Sequence, residues 1–257
     1  MAPDDDEPIT LSGNALSALQ EFYSDRDALA QKFEDLKKVA EDDFDGDGQK
    51  EVKTLSMDAF GESWQDSQFW YSDETATLLA EQLLEGATAE TTIAVVSAPS
   101  TFIQIKNILN KEGKPLSERP KVWLLEYDKR FEVFKDEFLF YDFKFPLKLP
   151  PNMVKTVDRF IIDPPFLSED CQTKAAMTVR YLAKSWPTSA PQDSRLIVCT
   201  GERMETLINK LYRPTGIATT DYLPVHSKGL SNEFFCYANF ECSAWKWKAE
   251  EKKSNES

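Results

Sequence analysis

Histidine is almost missing from this chain: His226 is the only one in 257 residues. A metal centre built on several imidazoles is therefore excluded, and the default reading of His226 is a structural or turn residue, not the hub of a catalytic triad. Cysteine is scarce as well. Cys171, Cys199, Cys236 and Cys242 form no Cys-x-x-Cys pair and no zinc spacing, so reduced, mostly buried thiols are expected, with neither a disulfide nor a metal site. No run of about 18 apolar residues occurs, which leaves no membrane-spanning helix to expect. A basic segment followed by an apolar one, the mark of a secretory signal, is also missing near Asp4, Asp5, Asp6 and Glu7. A cytosolic or nuclear location follows as the expectation.

Positive charge is the next shortage. The formal net charge is −14, and residues 1–48 hold 14 acids against 4 bases, so this leader carries −10 and the remainder −4. An acidic surface repels phosphate backbones and suits a basic protein or a small molecule, so no nucleic-acid partner is expected. With 41% hydrophobic residues the chain can bury a full core. The expected division is an acidic N-terminal extension over 1–60, a main domain over 61–247 and a polar tail over 248–257, and the expected state is a monomer.

Within the extension, Leu16, Leu19, Phe22 or Tyr23, Leu29, Phe33, Leu36 and Ala40 recur at three- and four-residue steps. That spacing predicts one or two amphipathic helices, with Ser12 as a cap. Asp43, Asp45, Asp47 and Gly48 then imitate the opening of a calcium-binding loop, but Thr54 stands where a bidentate Glu is needed. The segment reads as a solvated acidic linker.

From Ser72 onward strands and helices alternate. Ser72 predicts a helix N-cap, with Asp73 and Glu74 at the positive end of a helix through Leu84. Strands are expected at Thr92 to Ser97, Val122 to Glu126, Phe138 to Tyr141, Phe160 to Ile162, Leu196 to Cys199, Ala218 to Leu223 and Glu233 to Cys242. Helices fall between them at Ser100 to Leu109, Lys129 to Lys135, Glu169 to Ser185 and Glu202 to Leu211. This order predicts an α/β fold with a mainly parallel sheet covered on both faces.

Ligands of such sheets collect at the carboxyl ends of the strands. Read in order, those ends are Ser97-Ala98-Pro99-Ser100, Glu126-Tyr127-Asp128, Tyr141-Asp142-Phe143 and Asp163-Pro164-Pro165-Phe166. Glu126 stands where a nucleotide-binding sheet grips a ribose, and Asp142 is positioned to accept an exocyclic amine of adenine. Ser97, Ala98 and Pro99 replace the glycine-rich loop that cradles a pyrophosphate, so a nucleoside ligand without phosphates is expected. S-adenosylmethionine is such a ligand. At the fourth end, two prolines hold a stiff elbow and donate no hydrogen bond. The carbonyls of Asp163 and Pro164 are then left to accept from an amine, with the Phe166 ring beside it.

Longer stretches of text carry a resemblance. Ala18-Leu19-Gln20-Glu21-Phe22-Tyr23, Gln68-Phe69-Trp70-Tyr71-Ser72, Val96-Ser97-Ala98-Pro99-Ser100, Glu126-Tyr127-Asp128-Lys129-Arg130-Phe131, Phe140-Tyr141-Asp142, Asp163-Pro164-Pro165-Phe166-Leu167-Ser168-Glu169, Cys199-Thr200-Gly201 and Asn232-Glu233-Phe234 span residues 18–234. In them the chain resembles the eukaryotic elongation factor 1-alpha lysine methyltransferases, class I S-adenosylmethionine-dependent enzymes once described as N6-adenine methyltransferase-like. The acidic linker and the longer segment Asn110 to Lys121 depart from that pattern without touching a motif.

The resemblance implies a Rossmann-like, mostly parallel seven-stranded sheet. It implies S-adenosylmethionine as cofactor, held by Ser97, Ala98, Pro99, Glu126, Tyr127, Asp142, Phe143 and Asp163. It further implies methylation, up to trimethyllysine, of a lysine on elongation factor 1-alpha. Asp163, Pro164, Pro165 and Phe166 would carry the chemistry, Phe69, Trp70, Tyr71 and Phe166 would contact the substrate, and no metal is required. Two other readings stay open: methylation of adenine or a glutamine amide in nucleic acid or a release factor, and an inactive methyltransferase fold that only binds. Asp163 in place of Asn lacks an amide donor, which favours an amine substrate over a planar amide.

Overall fold

A computed structural model describes residues 13–44, 54–61, 68–186, 194–229 and 233–248. Ser12, most of the calcium-loop imitation at 45–53 and the tail at 249–257 lie outside the described residues. Helix α1 (Gly13–Phe44) leads; a 3-10 turn at Met57–Ala59 and then α2 (Asp73–Leu84) come next among the described residues. The order is then β1 (Thr92–Val96), α3 (Pro99–Glu112), β2 (Lys121–Glu126), β3 (Phe138–Phe140), β4 (Arg159–Ile162), α4 (Glu169–Leu182), β5 (Arg195–Gly201), α5 (Glu205–Leu211), β6 (Ala218–Thr219) and β7 (Phe234–Ala238).

The seven strands form one sheet in the order β3-β2-β1-β4-β5-β7-β6. All pairs from β3 through β5 are parallel, and β7 alone runs antiparallel between β5 and β6. The order reverses between β1 and β4, the switch point at which such sheets open a ligand crevice.

Side-chain alternation sorts the core into two layers. Ile93, Val95, Leu124 and Ile161 face a cluster with Leu79 of α2 and Phe102 of α3. Ala94, Val96, Leu125 and Ile162 face the opposite cluster with Val179 of α4 and Ile208 of α5. Strands buried on both faces read as unbroken apolar runs, and this explains why Phe160-Ile161-Ile162 shows no polar alternation.

Local signals fix the helix starts. Ser72 accepts from the Thr75 amide at 3.3 Å, and Ser168 accepts from the Cys171 amide at 3.3 Å. Each removes an orphan donor of the first turn. The stretch expected as a helix at Lys129 to Lys135 is a 3-10 turn over Lys129–Glu137, kinked where Lys135 takes φ 50°.

Two strands are shorter than expected: the one expected to Cys242 ends at Ala238, and the other is β6. The strand expected to Leu223 stops at Thr219, because Thr220 and Asp221 turn to pair with the segment ending at Lys248, whose amide bonds Thr219. Lys248, expected to open the polar tail, lies with its ammonium 3.6 Å from the Phe235 ring centre. The last half of α1 packs on the main body: Leu36 is 5% exposed, and Phe33 meets Phe60 edge-on at 5.7 Å. Leu55, Met57, Ala59 and Phe60 are buried in the same core layer. Toward its start α1 leaves Leu16, Leu19 and Tyr23 exposed.

Candidate active site

Glu126 ends β2 and Asp163 follows β4, so the two acids flank β1 at the switch point. The Asp163 amide donates to the Val96 carbonyl at 3.0 Å, which extends the ladder one residue past β4. Asp163 therefore keeps the side-chain phase of Ile161, as Glu126 keeps that of Leu124. Both carboxylates turn to the α2/α3 face of the sheet.

The two acids share an environment. Glu126 is buried, and its Oε1 accepts from the Tyr127 amide at 2.7 Å and the Asp128 amide at 3.1 Å. Burial pushes its carboxyl up to about 7, and those two amides pull it partly back. Burial likewise pushes Asp163 up to about 7. A hydrogen bond from Tyr71 opposes the rise, while the Glu126 charge adds to it. Two carboxyls poised near neutrality at one crevice are stabilised as anions by an incoming cation.

Ser97 takes φ 55°, a left-handed conformation uncommon for a residue with a Cβ, which bends the chain sharply out of β1. Its amide still donates to the Leu125 carbonyl at 2.9 Å. Buried Ala98 follows, and Pro99 opens α3. The exposed rings of Tyr127, just past β2, and Phe140, the last residue of β3, lie 5.3 Å apart and tilted 40° to each other. Asp142 accepts from the Lys144 amide at 2.9 Å through Oδ1, and Phe143 meets the Phe166 ring at 5.5 Å.

These features fit S-adenosylmethionine on the chemistry of the donor set. A cation suits the acid pair, and the Ser97–Pro99 turn offers no run of glycine amides for a pyrophosphate. Glu126 Oε2, which accepts no hydrogen bond from the described residues, suits a ribose hydroxyl.

The elbow itself is braced from three sides. Gln172 Nε2 donates to the Phe166 carbonyl at 3.1 Å and to Thr200 Oγ1 at 3.0 Å. Arg203 Nη2 donates to the Leu167 carbonyl at 3.0 Å. Leu167 lies over Gly201 so closely that a Cβ there would fall 2.9 Å from its Cδ1. Among the described residues, the Asp163 and Pro164 carbonyls accept no hydrogen bond.

The residues expected to meet the substrate divide. Tyr71 is 3% exposed and its hydroxyl donates to Asp163 Oδ2 at 2.6 Å, so it acts on the carboxylate from within the fold. Trp70 does not face the crevice. It is 6% exposed, donates Nε1 to the Phe60 carbonyl at 2.9 Å and meets Phe131 edge-on, because consecutive residues of this extended segment point to opposite sides. Phe69 is half-buried, and Phe166 presents 40% of its surface.

Sequence reasoning missed Gln172, Gly201 and the placement of His226 beside Tyr71. The glycine at the end of a strand was a usable signal, since such residues mark close approaches. A groove of about 520 Å³ lies elsewhere, between α1 and the Lys129–Glu137 turn, lined by Phe33, Lys37, Lys129, Arg130, Val133 and Lys135. Glu132 is the one acid of its lining, and the Lys129 ammonium lies 5.4 Å from the ring centre of Phe140 at the end of β3. Among the described residues no three His, Cys, Asp or Glu side chains gather into a metal site, and no helix is long and apolar enough to cross a membrane.

Comparison with known proteins bears on this arrangement. The model of a family described as "Probable N6-adenine methyltransferase" matches residues 62–242. "Protein-lysine N-methyltransferase EFM5" of Saccharomyces cerevisiae is 48% identical over 93% of this chain and 94% of its own. "EEF1A lysine methyltransferase 1" of Gallus gallus is 37% identical over 93% of this chain and 98% of its own, and the Homo sapiens protein of that name 35% over 93% and 95%. Among solved structures, the branched-chain polyamine synthase of Thermus thermophilus aligns at TM-score 0.48 and 11% identity. The match covers 74% of this chain and 61% of that one, a likeness too loose to bear on function.

Proposed function

The chain belongs to the protein-lysine N-methyltransferase family of these yeast and vertebrate relatives, and from that premise we propose that it transfers methyl groups from S-adenosylmethionine to a lysine of translation elongation factor 1-alpha. The observation that carries the reading is the acid pair Glu126 and Asp163 at the switch point, joined to two free elbow carbonyls. The vertebrate relatives bear the elongation factor in their names, and a cytoplasmic site of action follows from that substrate.

Bound there, the cofactor would supply an electrophilic methyl carbon. Glu126 would accept a ribose hydroxyl, the Ser97–Pro99 turn would make room beside the acids, and Tyr127 with Asp142 and Phe143 would border the base. The remaining work belongs to the chain. An amine attacks only when neutral, and deprotonating a lysine of pKa about 10.4 at pH 7 costs about 4.6 kcal/mol. A carboxylate of ordinary pKa is a poor acceptor for that proton, lying about 6.5 units below lysine. Without ligands Asp163 is raised to about 7, about 3.4 units below lysine; desolvation of the ammonium narrows that gap, and the positive charge brought in by the ligands widens it. The proton moves from Nζ to the Asp163 carboxylate while the Asp163 and Pro164 carbonyls aim the nitrogen, which is catalysis mainly by positioning. The Phe166 face then offers a cation-π surface to a methylated ammonium, including the trimethyl state.

Radiolabelled S-adenosylmethionine incubated with the protein and elongation factor 1-alpha, release factor or DNA tests this. Label is expected on a lysine of the elongation factor. Label confined to DNA, in keeping with the wording of the family description, or to a glutamine amide would overturn it.

A further inference from the structure

His226 is far from Asp163 in sequence, yet it belongs to a continuous chain of contacts that ends there. The segment Pro224 to Gly229 crosses the β6–β7 connection and pairs with residues 70–72. Tyr71 and His226 form an antiparallel bridge, Ser72 N donates to the Val225 carbonyl at 2.8 Å, and Ser227 N donates to the Trp70 carbonyl at 2.9 Å. On its other side the Tyr71 amide donates to Ser100 Oγ at 3.2 Å. The backbone of Tyr71 is thereby held from both directions.

The ring is held as well. His226 is buried, with its imidazole 5.0 Å from the Tyr71 ring and 4.8 Å from Phe234, which it meets edge-on. Phe234 pairs in register with Gly201, and Gly201 receives Leu167 of the elbow. The contacts Asp163–Tyr71–His226–Phe234–Gly201–Leu167 so form a collar that starts and ends on the acceptor elbow. A phenol can rotate about its χ angles, and only packing on its face fixes where its hydroxyl points. His226 supplies that face.

We propose that His226 is a positioning residue: packed between Tyr71 and Phe234, its ring locks the Tyr71 hydroxyl onto Asp163 Oδ2 and leaves Oδ1 to meet the substrate amine. The role assigned to the ring is its packing. The consequence for Asp163 has a definite sign, because the Tyr71 hydrogen bond favours the ionised carboxylate and its loss raises the Asp163 pKa. The other titratable groups whose charge is felt at the pair are Glu126, Cys199 and Cys171.

The test compares His226→Phe, His226→Leu, Tyr71→Phe and the His226→Leu/Tyr71→Phe double variant by two readouts. The first is the ¹³C titration of the Asp163 carboxyl, which needs no substrate. The midpoint is expected to rise in His226→Leu and Tyr71→Phe by similar amounts, to stay in His226→Phe, and to rise no further in the double variant. The second rests on the lysine-methylation reading: kcat falls at least tenfold in His226→Leu and Tyr71→Phe, the acid limb of the pH profile moves to higher pH, and the Kd for S-adenosylhomocysteine stays within about twofold. His226→Phe, which keeps a flat ring, restores kcat and the limb. An unmoved Asp163 midpoint in His226→Leu, a His226→Phe variant as defective as His226→Leu, or additive shifts in the double variant would each overturn the positioning role. Failure to methylate any lysine in the parent protein, with the carboxyl titrations as expected, would sink the function and leave the positioning role standing.

Discussion

The Tyr71 hydroxyl and the Asp163 carboxylate are joined at 2.6 Å across a gap that no local sequence rule spans. The bond opposes a burial that raises Asp163 to about 7 from an ordinary value of 3.8. Between those values the folded protein holds a proton that the unfolded chain has lost. The stability from this group is therefore full below about pH 3.8 and disappears as the pH rises through 7. Asparagine does not ionise. Asp163→Asn is accordingly expected to melt above the parent at pH 8, with a ceiling of about 4 kcal/mol, and the difference should shrink toward pH 5. Thermal melts of both proteins from pH 5 to 8 check this, and a difference that does not change with pH would contradict the shifted carboxyl. Methyl transfer should be lost in the variant at every pH.

Gly201 and Leu167 provide a second handle on the elbow. A methyl group at 201 would lie 2.9 and 3.1 Å from the two Cδ atoms of Leu167, and overpacking of this kind costs about 1–3 kcal/mol. Gly201→Ala should lower both the melting temperature and kcat, because Leu167 must turn its side chain away or shift the chain that follows Phe166. Adding Leu167→Ala should recover part of the activity. A double variant as slow as Gly201→Ala would place the fault in the strand and not in the contact.

Much of this fold was readable from local pattern. The apolar runs gave the parallel strands from Thr92 to Ile162, and Ser72 with its two following acids announced α2 to the residue, because capping is a local hydrogen-bond problem. The strand ends were also visible, so Glu126 and Asp163 could be placed on either side of the first strand from the sequence alone. Orientation was not. Trp70 and Tyr71 are adjacent aromatics of one motif, and only tertiary packing decides that Trp70 enters the core while Tyr71 reaches Asp163. His226 likewise read only as a structural or turn residue, since its contacts with Tyr71 and Phe234 come from the closing of the sheet.

Glu126 should separate cofactor binding from chemistry. With Oε1 committed to two backbone amides and Oε2 left over, Glu126→Ala removes both an acceptor for the ligand and the brace of the Tyr127–Asp128 turn. Loss of a charge-assisted hydrogen bond is worth about 1.5–3 kcal/mol, which is roughly a tenfold to hundredfold weaker Kd for S-adenosylhomocysteine by calorimetry. Glu126→Gln keeps the acceptor and should weaken binding less. Because the Glu126 charge raises Asp163, Glu126→Gln should also lower the Asp163 midpoint. A carboxyl titration unmoved by that change would show that the two acids do not sense each other.

The N-terminal helix divides into a half that the fold needs and a half that it does not. Leu36 is 5% exposed and Phe33 packs on Phe60, which itself stacks on Phe131 at 4.1 Å; Leu16 and Leu19 remain 48% and 38% exposed. Truncating a buried leucine to alanine costs about 2–5 kcal/mol, while surface changes stay within about 0.5 kcal/mol. Leu36→Ala should therefore lower the melting temperature by several degrees, whereas Leu16→Ser and Leu19→Ser should leave it unchanged. Removing residues 1–27 should spare stability, and removing 1–48 should not. The second deletion strips Phe33 and Leu36 from the core layer that also holds Leu55, Phe60 and Trp70, and Trp70 is the immediate neighbour of Tyr71. Activity is expected to fall with stability in the longer deletion, by thermal melts and initial rates measured side by side. A 1–48 deletion as stable as the parent would mean that the docked half of α1 contributes no net packing energy.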